Sequence, residues 1–193
     1  HGEGDAPGSM GAGSPIIVGV GAHLKNTVAL AVGPHVFLSQ HIGDLDTPEA
    51  LAAHRRVLAD LRQLYGVTPT LVAADAHPDY ASTRSAEELG LPLILVQHHY
   101  AHVLATMAEN DARDPVLGVS WDGTGYGLDR TIWGGEFLRV NPTGFERIAH
   151  LRTFPLPGGD AAAREPRRSA LGLLRELWGD RFGAQATDTL RTR

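Results

Sequence analysis

Short β-branched runs and helically spaced stripes alternate along this chain. Ile16-Ile17-Val18-Gly19-Val20, introduced by Pro15, is a nearly all-apolar run and predicts a buried strand. Thr27–Val32 and Val36–Gln40 predict two further strands, joined by a turn at Gly33-Pro34-His35. Thr47-Pro48 then opens a helix, with Thr47 as N-cap and Pro48 at its first position. Leu51, Leu58, Leu61 and Tyr65 give that helix an apolar stripe, and Gly66 stops it. Leu71–Ala74 predicts a strand ending at Asp75, Ala81–Leu89 a helix closed by Gly90, Leu93–Val96 a buried strand, and His99–Glu109 a third helix.

Three meandering strands followed by alternating helices and strands predict an α/β arrangement. It is the order of one half of an actin/hexokinase-type ATPase fold (ribonuclease H-like), whereas a dinucleotide-binding domain would alternate strand and helix from the start. A second round begins after Pro115. Val116–Trp121 predicts a strand, a Gly-rich turn follows, and Thr131–Val140 predicts the next strand. Residues 145–154 predict a third, and the leucine spacing of 169–178 a helix. The expected layout is a complete first half at residues 15–112 and the beginning of a second half at 113–193.

Composition narrows this. With 42% apolar and 20% charged residues, the 193-residue chain can bury a core. A mean hydropathy of -0.13 and the lack of a long apolar run argue against a membrane span. The net charge of -5 gives no basic face for nucleic acid. There is no cysteine, so a metal would have to be held by carboxylates and by the 10 histidines. Residues 1–14 are rich in Gly, Ala, Ser and Pro and read as a tag or leader rather than a signal peptide, and cytoplasm is the expected compartment.

The strongest chemical feature is Gln97-His98-His99-Tyr100-Ala101-His102, at a junction of strand and helix. His98 and His102 are four apart, so on a helix they share a face and can share one ion. Imidazole suits zinc, iron and similar ions. A zinc-protease pattern would need Glu after the first His, where His99 stands. Histidines partly exposed at a helix start fit the same spacing. In Asp122-Gly123-Thr124-Gly125-Tyr126-Gly127 an apolar strand runs into an acid and three alternating glycines. Such a loop can bring backbone N–H groups to a phosphate, with Asp122 beside a metal; a ligand-free hairpin connection fits it as well.

Weaker features are Lys25 at the tip of a Gly-rich hairpin, Asp75-Ala76-His77-Pro78-Asp79 after the fourth strand, and Pro157-Gly158-Gly159-Asp160 before the last helix. Each alone suits ordinary turn and capping chemistry. Trp133 and Trp178 read as packing anchors, and Arg164, Arg167 and Arg168 as a solvated helix face. No Gly-x-Ser-x-Gly elbow supports a hydrolase triad.

Seven segments occur in one order: Leu24–Thr27, Phe37–Leu45, Asp75–Tyr80, His98–His102, Asp122–Gly127, Trp133–Glu136 and the Pro157-to-Asp160 run. As an ordered set over residues 16–175 they resemble the HypF family, the carbamoyltransferases of nickel–iron hydrogenase maturation. The resemblance implies the actin-type fold, related to enzymes that transfer threonylcarbamoyl to tRNA. It also implies carbamoyl transfer from carbamoyladenylate, made elsewhere in the protein from carbamoyl phosphate and ATP, to a C-terminal Cys thiolate of a HypE partner. His98, His102 and Asp122 then match metal ligands for a divalent ion (Fe, Zn or Mg). Lys25 and His99 are the expected catalytic residues. Lys25, Asn26, His77, Gly123, Thr124, Gly125, Gly127 and Glu136 are expected at the nucleotide and carbamoyl group. His23 stands where the family usually carries an acid, and Tyr100 replaces the central His of its run. The family's acylphosphatase-like, zinc-finger and adenylate-forming domains, its remaining Asp ligand and its adenosine loop are not in this sequence, so a fragment is expected. Rival expectations are an O-carbamoyltransferase of natural-product biosynthesis, a kinase-type member of the fold without a histidine pair, and a fragment that only docks HypE.

Overall fold

A computed structural model of the chain describes residues 14–159 and 161–183. The expected leader, apart from Ser14, and Asp160 lie outside the described residues. The described chain is mixed α/β and forms two compact units. The first comprises the residues up to Ala101 together with Tyr126–Arg130, and the second comprises His102–Gly125 and the residues from Thr131 onward.

The first unit is built on a five-stranded sheet. Its strands are β1 (Ile17–Gly19), β2 (Ala29–Val32), β3 (His35–Leu38), β4 (Leu71–Asp75) and β5 (Leu93–Val96), in the order β3-β2-β1-β4-β5. β1, β2 and β3 meander antiparallel, while β4 and β5 run parallel to β1. Alternate residues of the central strands form one apolar face: Val18 and Val20, Val28, Leu30 and Val32, Val72 and Ala74. Register enforces this, since Val18 stands opposite Leu30 on one side and Val72 on the other. Helix α1 (Pro48–Leu64) adds Val57 and Leu58 to the cluster, and helix α2 (Ala81–Glu88) adds Ala86.

Local chemistry sets the ends of α1 as the sequence predicts. The Thr47 hydroxyl accepts the Ala50 N–H at 3.2 Å, Pro48 occupies the first turn, and Gly66 follows the last turn at φ +60°. Its stripe holds a surprise, because the fully buried side chain beside Val57 and Leu58 is His54.

Helix α3 (His98–Glu109) begins one residue earlier than expected. Gln97 explains the start: its side-chain oxygen accepts the Tyr100 N–H at 2.9 Å, as an N-cap does. The second unit carries a three-stranded sheet, β6 (Val116–Tyr126), β7 (Ile132–Asn141) and β8 (Gly144–His150), in that order. Two short-range expectations change here. β6 does not end at Trp121 in a Gly-rich turn but runs extended through Tyr126. Helix α5 (Pro166–Trp178) starts three residues before the leucine spacing, because Pro166 suits a first helical position. It follows a one-turn helix, α4 (Ala161–Arg164). No described helix is long and apolar enough to cross a membrane.

Candidate functional site

Within the first unit, the parallel pairing of β4 with β5 brings their carboxyl ends together, Asp75 opposite Val96. Ligands of open α/β sheets gather at such ends. Two residues past β5 the chain enters α3 with His98, and the Asp75 carboxylate meets it: Asp75 Oδ2 lies 2.6 Å from His98 Nδ1. The other oxygen, Oδ1, accepts the His77 N–H at 2.8 Å. Asp75 is itself held, since its backbone carbonyl accepts the Thr83 hydroxyl at 3.1 Å. His77 stacks parallel on Tyr80 with centroids 4.1 Å apart, and its edge meets Tyr126 at 5.1 Å.

Gln97 fixes the same corner. Its amide nitrogen lies 3.2 Å from His99 Nδ1 and 3.2 Å from the Tyr126 carbonyl oxygen, to which it donates. His99 is 0% exposed. Its ring, expected to take part in catalysis, is packed inside at the start of α3.

Helix α3 carries His98 and His102 four residues apart, hence on one face. Within the second unit, Asp122 Oδ2 on β6 lies 3.6 Å from His102 Nε2, while Asp122 Oδ1 accepts the Gly123 N–H at 2.7 Å. At 3.6 Å the pair is too long for a hydrogen bond. It is close to the separation of ~3.3 Å that follows for two donors each ~2 Å from one tetrahedral ion. His98, His102 and Asp122 thus make a group that could hold a metal ion. A cleft of about 460 Å³ in the second unit is lined by His102, Val103, Met107, Trp121 and Asp122 among others.

The remaining expected residues separate. Lys25 is exposed at the tip of its hairpin with φ +49°, and its N–H is accepted by Asp44 at 2.8 Å. The neighbouring turn needs Gly21, where a Cβ would come within 2.5 Å of the Thr27 carbonyl oxygen. Asn26 is 1% exposed and its amide donates to the carbonyls of Val20 and Ala22. Asn26, expected at the nucleotide, closes the turn through these two bonds.

Gly123, Thr124 and Gly125 run as extended strand, and none of Gly123, Gly125 and Gly127 has the positive φ that an anion nest alternates with helical φ. The segment expected to cradle a phosphate is thus extended strand as far as Tyr126, with Gly123 and Thr124 exposed. Glu136 is 1% exposed, binds the Arg147 guanidinium through both oxygens at 2.6 and 3.0 Å, and accepts the Gly134 N–H at 2.9 Å. Arg147 in turn lies 4.1 Å over the Trp133 ring. Glu136, expected at the ligand, is thus tied into the β7–β8 hairpin through Arg147. Gly158 and Gly159 adopt positive φ ahead of α4, and the Gly159 N–H donates to Leu156 at 2.9 Å. Asp75 and Gln97 are the site residues that sequence reasoning passed over. The Asp-Ala-His-Pro-Asp motif contained the signal for Asp75, and nothing in the spacing marked Gln97 as the link between His99 and Tyr126.

Comparison with known proteins adds an independent finding. Residues 12–109 match the family described as the HypF Kae1-like domain, and residues 118–192 match the second subdomain of the carbamoyltransferase Kae1-like domain. The chain belongs to the HypF family. It is 47% identical over 171 residues to the carbamoyltransferase HypF of Synechocystis sp., covering 88% of this chain and 22% of that protein. To the HypF of Rhizobium leguminosarum bv. viciae it is 46% identical, covering 87% of this chain and 22% of the relative. A crystal structure of full-length HypF in its phosphate- and nucleotide-bound form superimposes with a TM-score of 0.80 at 42% identity, over 84% of this chain and 22% of that one. The chain therefore spans about a fifth of the length of these HypF relatives.

Proposed function

We propose that the chain forms the metal- and adenylate-binding part of a HypF carbamoyltransferase, with a complete first actin-type half at residues 15–112 and the start of the second at 113–193. In this reading it takes the carbamoyl group of carbamoyladenylate, made from carbamoyl phosphate and ATP, and delivers it to a C-terminal Cys thiolate of HypE for hydrogenase maturation. The observation that carries the reading is the joint occurrence of the two HypF subdomain matches and the donor group His98, His102 and Asp122. The nucleotide bound in the related full-length HypF supports the nucleotide part. The metal part is supported by the donor chemistry, since two imidazoles and a carboxylate suit zinc or iron.

His98 and His102 from α3 and Asp122 from β6 would hold the ion. A divalent cation bound there supplies Lewis-acid polarisation of a carbamoyl or phosphate oxygen. The protein's own groups do the rest. Lys25, exposed and cationic, offsets negative charge on the phosphate. His77, half-buried on its Tyr80 shelf, orients the carbamoyl end, and exposed Gly123 and Thr124 leave room for backbone to approach the ligand. The incoming thiolate forms a C–S bond to the carbamoyl carbon as the C–O bond to phosphate breaks, and AMP leaves with that electron pair.

The test is metal analysis of the purified chain beside its H98A/H102A double variant, coupled to carbamoyl transfer to HypE by the same double variant in the longer HypF protein. Metal in stoichiometric amount in the wild type, and loss of both metal and transfer in the variant, is the expected result. Full transfer by the double variant would sink the proposal.

A further inference from the structure

The position of Asp75 has consequences beyond the donor group itself. It ends β4, is 8% exposed, and serves as acceptor for two different partners: the ring of His98 at 2.6 Å and the backbone of His77 at 2.8 Å. An ionised carboxylate can only accept, so the contact with His98 requires a proton on Nδ1. In a neutral imidazole the lone pair is then on Nε2, the nitrogen that would face an ion. This is the arrangement by which an outer carboxylate fixes tautomer and ring direction and raises ligand basicity. The three other contacts of this corner are independent of it: Thr83 holds the Asp75 backbone, Gln97 caps α3, and Tyr80 supports His77.

We propose that Asp75 is a positioning residue that presents His98 through Nε2 to the metal and, through the His77 N–H, sets the 76–80 loop in register with it. The proposal rests on the metal reading given above and deepens it. It explains why a buried acid ends β4 beside the start of β5's outgoing helix, where an uncompensated carboxylate would be costly. It also makes one side chain the common support of an expected metal ligand and an expected carbamoyl-contacting residue.

The experiment measures Zn²⁺ affinity of the chain by competition with a chromophoric chelator, for wild type, Asp75→Asn, His98→Ala and Thr83→Val. Asp75→Asn is expected to weaken Zn²⁺ binding roughly 10- to 100-fold. Thr83→Val perturbs the same loop without touching the carboxylate, and is expected to keep wild-type affinity. In parallel, ¹⁵N NMR of the His98 ring at alkaline pH, without metal, is expected to show the Nδ1–H tautomer in wild type and its loss in Asp75→Asn. Should the Asn variant not fold, Asp75→Glu, which keeps the charge and displaces it by one methylene, is measured in its place with the same expectation. Wild-type affinity in the Asp75 variant while His98→Ala has lost binding overturns the role of Asp75 alone. An equal loss in Thr83→Val would also overturn it, by reducing Asp75 to general support of the loop. Unchanged binding in both His98→Ala and the Asp75 variant overturns the metal reading and this proposal together.

Discussion

His54 lies in the apolar stripe of α1, 0% exposed, with Nε2 donating to the Val20 carbonyl at 3.0 Å. Burial lowers its pKa below the usual 6.5, the Val20 hydrogen bond opposes that shift, and neighbouring Arg55 adds to it. The folded protein thus keeps this imidazole neutral at a pH where the unfolded chain protonates it. Below about pH 6.5 the unfolded state binds the extra proton, so stability contributed by neutral His54 is present above that pH and is lost as pH falls toward the lowered folded value. The loss is expected to reach ~1.4 kcal/mol per pH unit at its steepest. Urea denaturation at pH 7.5 and pH 5.5 checks it: His54→Gln should flatten the difference, and an equal pH dependence in the variant would rule His54 out as its source. Glu136 makes a second residue-scale case. Its buried carboxylate is matched by Arg147 and Gly134, so Glu136→Ala removes the acceptor of both and should cost ~3 kcal/mol. Replacing Glu136 and Arg147 together by apolar residues should cost far less, which a double-mutant cycle on unfolding free energies would reveal.

Among elements, the contact of α3 with β6 sets the relation of His102 to Asp122. It depends on Gly118, where a Cβ would lie 2.5 Å from both methyl groups of Val103. Gly118→Ala should therefore destabilise by ~1–3 kcal/mol through overpacking. It should also weaken Zn²⁺ binding measurably, since relief requires α3 and β6 to part. Ala at 118 with unchanged metal affinity would mean that the pair tolerates such a shift. Elements of this kind were unevenly legible in the sequence. The helix α1, with Thr47, Pro48 and Gly66 at its ends, and the strands of the first sheet announce themselves through caps and period-two apolar residues. The extension of β6 through Asp122–Tyr126 did not, because glycines that usually punctuate a strand here continue it beside β7, where a Cβ added at Gly134 would lie 3.5 Å from the Asp122 and Gly123 carbonyl oxygens. The spacing of His98 and His102 was readable as helical geometry. The burial of His99 and Asn26 was not, because a polar residue inside a fold is decided by tertiary hydrogen bonds that leave no periodic trace.

At the scale of the molecule, the question is whether the metal would hold the fold together or the fold would hold the metal. The first unit has its own core, Val18, Val20, Leu30, Val57, Leu58 and Val72 around a five-stranded sheet, which owes nothing to the donor group. His98 is already oriented by Asp75, and His102 and Asp122 are brought within 3.6 Å by α3 and β6 alone. A domain of this kind differs from a zinc finger, where the folded state is absent without metal. Metal should therefore act as a ligand of the native state, adding stability by mass action: about 2.7 kcal/mol when free metal is a hundredfold above its dissociation constant. Chelation with EDTA is expected to lower the melting temperature by an amount that depends on the metal concentration used beforehand. It should leave far-UV circular dichroism and a cooperative transition intact. Zn²⁺ added back should restore the melting temperature in the wild type but not in H98A/H102A, because the donor group links metal to stability. Collapse of the circular dichroism on chelation would instead make the ion a structural element, and would mean that the contacts ordering α3 and β6 do not suffice without it.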